Sequence, residues 1–314
     1  MQTKALTESS LLTALFVILA MATVYIPALS AISLLLLSLP HAFISYKHGV
    51  KIGIISLVVS SFLLVLVMAD IVTAFTTVTM FASVGVALGA GVKKLSAGKT
   101  IMLGAVVGGV SFAILITVVA YLLKIDIYGD TIKIYEQSLK AITENGWLAK
   151  TFKDLDYSQI ENMLQLAKGV LKPSLVLGVG FMVSYINYKM FQIVGARFKI
   201  KVPRMKSLFE WTFPVWVGVV FVLGNILVLL GANNNLLYSI GLNIHIVFQW
   251  PVILQGMSLL IMFFSKYIRS KIFFILFIVL VFMNPLLLKI VSFVGLFDML
   301  FNYRGFVLEK GDKK

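Results

Sequence analysis

Asp70, Thr73 and Thr77 stand at i, i+3 and i+7, a spacing that puts one carboxylate and two hydroxyls on a single face of a helix. Such a stripe suits a cationic or hydroxyl-bearing ligand. It also suits the plainer work of capping a helix whose first N–H groups lack partners. His245 and Gln249 lie one helical turn apart, followed by Trp250-Pro251, with Gln255 farther along. The imidazole adds a group that titrates near neutrality, and a proline inside a helix frees a backbone carbonyl. Asp70, Thr73, Thr77, His245 and Gln249 together make the candidate ligand site. Asn225 and Asn284-Pro285 are further polar interruptions in apolar surroundings. Hydrogen bonding between helices is the alternative reading of these polar side chains.

Other chemistry finds little support. Ala97-Gly98-Lys99-Thr100 ends like a phosphate-binding loop, but the glycine needed five positions before Gly98 is replaced by Lys93. His41, His48 and His245 are dispersed and lack metal-ligand spacing. The chain has no cysteine, no HExxH and no GxSxG. The expectation is a protein without catalytic residues, cofactor or metal, and not an enzyme.

The elements that position these residues follow from composition. The 314 residues are 60% hydrophobic and 13% charged, with a mean hydropathy of +1.00. Soluble domains are about 45–50% apolar and about 25% charged. Apolar runs at 9–27, 31–46, 52–69, 71–92, 101–123, 173–195, 211–231, 236–264 and 272–296 are of the length that crosses a bilayer. The last contains Pro285 and Lys289, and reads as one kinked helix or as a hairpin of two half-spans. The predicted fold is all-α, a polytopic transmembrane helical bundle of eight to nine spans with a short amphipathic helical segment on the outer face. The first helix is expected to be capped near Thr7 and retained, because its apolar run is too long for a signal peptide and a second span follows directly.

That outer segment divides the chain into N-terminal transmembrane helices (1–123), an extracytoplasmic piece (124–172), and C-terminal transmembrane helices with a short tail (173–314). Within 124–172, Ile132, Tyr135, Leu139 and Ile142 recur at helical spacing, Asn145-Gly146 makes a break, and Ser158 with Glu161 fits a capping box.

A net charge of +14 would suit nucleic acid, but the cations fall in short clusters between apolar runs. Lys4; Lys47 and Lys51; Lys93, Lys94 and Lys99; Lys189, Arg197, Lys199, Lys201, Arg204 and Lys206; and Lys266, Arg269 and Lys271 occupy alternate loops. The opposite loops hold Asp70, an uncharged turn at 231–238, and the 124–172 segment, in which lysines and acids balance. The positive-inside rule then places the N-terminus in the cytoplasm of a multi-pass protein of the bacterial cytoplasmic membrane. Gly85 with Gly89, Gly104 with Gly108, and Ser10 with Ala14 are spaced to let helix backbones approach closely.

Lys4-Ala5-Leu6-Thr7-Glu8 runs straight into an apolar helix. Ile26-Pro27-Ala28, the 32–39 run with Pro40, and Tyr46-Lys47-His48-Gly49-Val50-Lys51-Ile52-Gly53 follow. This order resembles the YybS family of uncharacterised bacterial membrane proteins. The first four to six spans are also similar to the S components of energy-coupling-factor vitamin transporters. That resemblance implies a small molecule bound near the outer side, under the loop between the first two helices. It also implies an ATPase pair and a membrane coupling subunit as partners. S components usually have six spans, and often an Ala-xxx-Ala coupling face where this chain has Ser10-xxx-Ala14. The expected function is a transporter-like, small-molecule-binding membrane protein; the alternative is a non-transporting scaffold or regulator that binds another membrane protein. Expected partners are the lipid bilayer, a small-molecule substrate and a membrane protein or ATPase/coupling subunits, with no nucleic acid.

Overall fold

The computed structural model describes residues 2–68, 70–124, 133–134, 137, 157–205, 212–231, 234–268 and 270–305. Among these the regular structure is helical throughout. Six helices among the described residues are long and apolar enough to cross a membrane: Thr3–Tyr25, Pro27–His48, Val50–Met68, Ile71–Val92, Ala97–Leu122 and Leu236–Ser265. A bent pair, Ile272–Met283 with Leu286–Phe301, makes a seventh if it is one span. The packing divides into two compact units: Met1–Leu155 with Leu175–Met205, and Asp156–Ser174 with Lys206–Lys314.

The first unit begins with α1 (Gln2–Tyr25), α2 (Pro27–Leu36), α3 (Leu39–His48) and α4 (Val50–Met68). It continues through α5 (Ile71–Thr77), a π-helical turn (Val78–Ala82), α6 (Ser83–Val92) and α7 (Ala97–Leu123), and is completed by α8 (Tyr157–Arg197) from Leu175 onward. Pro27 enters α2 at its first turn, where a missing N–H costs nothing. Thr7 is not a cap: α1 already begins at Gln2, and the Thr7 hydroxyl donates to the Thr3 carbonyl inside the helix. The 31–46 run is two short helices broken at Leu37-Ser38. The 173–195 run is the later part of a longer helix that starts at Tyr157. The amphipathic pattern at 132–155 and its Asn145-Gly146 break lie outside the described residues, save for 133–134 and 137, and so do the side chains of the Ser158–Glu161 capping box.

What a helix turns outward here is as apolar as what it turns inward. On α7, Met102, Val106 and Val110 are exposed, while Ile101, Gly104, Ala105 and Gly108 are buried. On α4, Ile55, Val58, Phe62 and Leu66 are exposed, opposite buried Gly53, Ser60 and Leu64. Helices hydrophobic all round belong in lipid.

Burying apolar side chains gives helices no preference for each other over lipid tails, so close backbone approach must supply the contact. Gly85 and Gly89 of α6 lie against the carbonyls of Ser38 and Ala42 on α3. Gly104 and Gly108 of α7 meet Ser184 and Gly180 of α8, where the Ser184 hydroxyl also donates to the Ile101 carbonyl at 2.7 Å. Around these crossings pack Leu39, Ala42, Phe43, Val84, Leu88, Ile101, Tyr188 and Phe191. A second cluster joins Phe16 and Ala20 of α1 to Leu64, Ala74 and Val78.

The second unit contains α9 (Val215–Leu230), α10 (Asn235–Ser265), α11 (Lys271–Met283) and α12 (Pro285–Phe301). Gly241 of α10 lies against Val228 and Gly224 of α9, and Gly256 of α10 against Val291 and Gly295 of α12. The 272–296 run divides at Asn284, whose side chain accepts from the N–H groups of Leu286 and Leu287 and starts α12 with Pro285 in its first turn. The two helices are bent by 107° there, so the run is not a single straight crossing.

A methyl group added at Gly89 collides with the Ala42 carbonyl, whereas at Gly98 it meets nothing within 4 Å. Gly89→Ala is expected to destabilise the protein by about 1–3 kcal/mol, seen as a lower melting temperature in detergent, while Gly98→Ala leaves it unchanged or slightly higher.

Candidate functional site

Asp70 sits between α4 and α5 and is exposed. Its Oδ1 accepts from the Val72 N–H at 2.9 Å and the Thr73 N–H at 3.3 Å, and its Oδ2 accepts from the Thr73 hydroxyl. The Thr73 hydroxyl and amide hold the carboxyl below its ordinary pKa, against opposing desolvation, and the Val72 amide adds to the lowering. Both oxygens are thus engaged in an N-cap, where a negative charge also meets the positive end of the helix dipole. Thr77 is buried and donates to the Thr73 carbonyl at 2.8 Å. The three residues share one helix face as their spacing required, with their polar atoms turned on each other.

His245 and Gln249 lie in the second unit, on α10. The imidazole stacks on Phe221 of α9 with ring centroids 5.1 Å apart, and its buried Nδ1 has no hydrogen-bond partner. Asn225 and Asn243 each turn their amide NH₂ back to the carbonyl four residues earlier. Each of these bonds is local to its own helix.

Two polar clusters that spacing did not single out are more deeply placed. In the first unit His41 of α3 is fully buried, its Nε2 lies 3.1 Å from the Ser60 hydroxyl of α4, and its ring meets the Phe16 face edge-on at 4.5 Å. Ser38, His41 and Ser45 share one face of α3 at i, i+3 and i+7, and each keeps a buried polar atom without a partner.

The second cluster is ionic. Asp298 of α12 is 3% exposed, and its Oδ2 accepts from the Gln255 side-chain amide of α10. Its Oδ1 accepts from the Arg304 backbone N–H at 2.8 Å, and the Arg304 guanidinium lies 3.7 Å from Oδ2. The guanidinium also donates to the Ser258 hydroxyl at 2.8 Å, and the Gln255 carbonyl oxygen accepts from the Phe213 N–H at 3.0 Å. Asn302, in the left-handed region at φ 49°, ends α12 and turns the chain so that Arg304 comes back onto the helix it has just left. A six-residue separation across a reversal has no helical period, and Gln255 is 43 residues from Asp298, so pattern alone could not assemble this group. The available signal was simpler: Asp298 is an acid two residues past the run read at 272–296, where apolar residues continue to Phe301.

Among the described residues no group of three or more histidine, cysteine or acidic side chains could hold a metal ion. Residues 14–299 match the family described as "Predicted membrane protein (DUF2232)". The chain is also similar to the protein titled "Uncharacterized protein YybS" of Bacillus subtilis (strain 168), at 28% identity over 310 residues, covering 96% of this chain and 98% of that one. No solved structure matches.

Removing one partner of a buried ion pair strands the other charge, at a cost of about 3–5 kcal/mol, whereas replacing both can be nearly neutral. Asp298→Asn is therefore expected to lower the melting temperature sharply, and adding Arg304→Gln to recover much of the loss. Additive losses in the double variant would show that the two charges are not coupled.

Proposed function

We propose that this chain, which belongs to the DUF2232 family of predicted membrane proteins, is a transporter-like integral membrane protein that binds a small polar solute among its helices. The observation that carries this reading is the Asp298 carboxylate, enclosed with Gln255, Ser258 and Arg304 among apolar helices. An ionised group in such surroundings is expensive, and replacing a buried ion pair by apolar side chains is often neutral or stabilising. Packing alone gives little reason to place one here. The carboxylate suits an amine or hydroxyl group of a solute, with His245 and Gln249 of α10, the helix that carries Gln255, as further contacts; the Asp70–Thr77 stripe is a separate candidate contact within the first unit. Catalysis is the weaker reading, because the Ser60–His41 pair, which has a nucleophile-and-base geometry, has no exposed surface on either member.

The bundle we propose has nine crossing or partly crossing segments. Beyond the helices long enough by themselves, it counts the later part of α8, the 16-residue α9 and the bent α11–α12 pair. Five long apolar helices and the later part of α8 give the first unit six segments, the number usual in S components. The chain has no nucleotide-binding motif, so ATP-driven transport would require partner subunits. Contacts within the first unit support an N-terminus in the cytoplasm. Glu8 of α1 pairs with Lys47 at 3.4 Å and His48 at 3.1 Å at the end of α3, and Lys93 after α6 lies 5.3 Å over the Tyr46 ring. At the other end of α1, the Tyr25 hydroxyl reaches the Met68 carbonyl at 3.4 Å, two residues before Asp70. Cations thus gather at one end of this unit. Reporters fused near Lys94, Lys201 and Arg269 should report the cytoplasm, and those near Asn145 and Asn234 the outside; Lys94 on the outer face would overturn the orientation.

The binding reading is tested by thermal shift of the purified protein against a panel of organic cations, polyols and anionic solutes. Amine- or hydroxyl-bearing solutes are expected to stabilise wild type and to bind more weakly to the Asp298→Asn, Arg304→Gln double variant. Asp70→Asn keeps a capping oxygen but removes the charge, so weakened binding there would make Asp70 a ligand contact, and unchanged binding a cap only. A protein that no solute stabilises, and that instead copurifies stoichiometrically with another membrane protein, would replace this reading with the scaffold.

A further inference from the structure

We infer that the groove between the C-terminal turn of α8 and the loop at 198–205 is a docking site for an anionic phospholipid, with the headgroup phosphate held by Lys201 and Arg204. The groove has a volume of about 470 Å³ and is lined by Gln192, Ala196, Ile200, Lys201, Val202, Arg204 and Met205. Its backbone is fixed. The chain leaves α8 through Lys199 in the left-handed region at φ 57°, with the Ile200 N–H returning to the Gly195 carbonyl at 2.9 Å. Two side chains of α8 then pin the loop, since the Tyr188 hydroxyl at 2.6 Å and the Gln192 amide at 3.2 Å both donate to the Pro203 carbonyl. Pro203 is thereby anchored between the two cationic residues that flank the site.

The chemistry of the lining selects the occupant. Lys201 and Arg204 are exposed and have no ion-pair partner among the described residues, and no Asp or Glu occurs in the sequence from 162 to 209. Arg offers a planar fork and Lys a point charge, the two usual phosphate donors. Ala196, Ile200, Val202 and Met205 supply an apolar wall, which a free inorganic anion has no use for and an acyl chain does. The groove lies at the end of the unit where Lys47 and Lys93 also lie, because Phe198 packs on Phe43 at 5.4 Å and Ile200, Val202 and Met205 pack on the cluster that holds Val92 and Ala97; this is the level at which a headgroup meets a helix end. Cationic rim and apolar wall together fit a lipid that carries a net charge on a hydrocarbon tail.

The test is native mass spectrometry of the full-length protein titrated with dioleoylphosphatidylglycerol or dioleoylphosphatidylcholine. Wild type should retain phosphatidylglycerol in preference to phosphatidylcholine. Lys201→Gln with Arg204→Gln should weaken phosphatidylglycerol binding roughly thirtyfold, about a factor of five for each surface charge. Lys93→Gln with Lys94→Gln removes the same charge near the same end from side chains that do not line the groove, and should change it much less. Equal losses in the two variants would reduce the groove to general electrostatics, and no loss in the first would remove it. Inorganic phosphate should not displace the lipid; displacement would make this a free-phosphate site and overturn the lipid assignment. Because none of these residues belongs to the Asp298 cluster, failure here leaves the solute-binding reading standing, and the reverse holds as well.

Discussion

Backbone laid against backbone at glycine is the contact on which both units depend. In hydrocarbon a leucine gains little by exchanging a lipid neighbour for a protein one, so two helices associate where their main chains come close enough for many weak contacts to accumulate. Gly85 and Gly89 of α6 against α3, Gly108 and Gly109 of α7 against Gly180 of α8, and Gly256 with Gly295 are all such places. The polar groups follow from them. Gln255 adjoins Gly256, and Asp298 lies one turn beyond Gly295, so a crossing tight enough to bring main chains together also brings an amide to a carboxylate. His41 is placed the same way: its Cβ lies 3.1 Å from where a Gly85 Cβ would stand, which leaves the ring directed toward Ser60.

Absence of water within the bilayer sets the second condition, because every backbone and side-chain donor must find its partner inside the chain. The protein meets it mostly by local means. Thr13, Thr23, Thr76, Thr77 and Ser292 donate to carbonyls four residues earlier, and Asp70, Asn234 and Asn284 accept from the free N–H groups of the helices they begin. Against that background the Asp298–Arg304–Gln255–Ser258 group is different in kind. It is long-range, carries charge, and joins the entry to α9, the middle of α10 and the end of α12 through one carboxylate and one amide.

Helical class and six of the nine apolar runs, which are helices long enough to cross, were legible in the sequence because a bilayer imposes a length of about 20 apolar residues that little else requires. The glycine pairs were legible as well, since their four-residue spacing is itself the contact surface. Helix ends were harder to read. Thr7 has the chemistry of a cap, but α1 extends back to Gln2 and uses the hydroxyl internally. Asp70 could be read as a cap or as a ligand contact, and the geometry displays the cap. The long-range polar group was not legible, because Arg304 follows the last span, where a cation reads as part of a tail. Only the reversal at Asn302 brings it home.

The π-helical turn at Val78–Ala82 gives the span from Ile71 to Val92 an unusual kind of sensitivity. It takes up one more residue than an α-helical turn, so the same residues in an uninterrupted α-helix would carry Gly85 and Gly89 round by about 100°. Gly85 and Gly89 face α3, and Ser83 meets Ser111 of α7 at 3.0 Å, because the turn absorbs that residue. Closing the turn into regular α form with its residues unchanged in number would swing both glycines off their partner. Loss of a single codon within the turn has the opposite effect: it removes the absorbed residue, lets the helix close, and keeps both glycines on α3. A one-residue deletion inside this stretch is therefore compatible with the crossing.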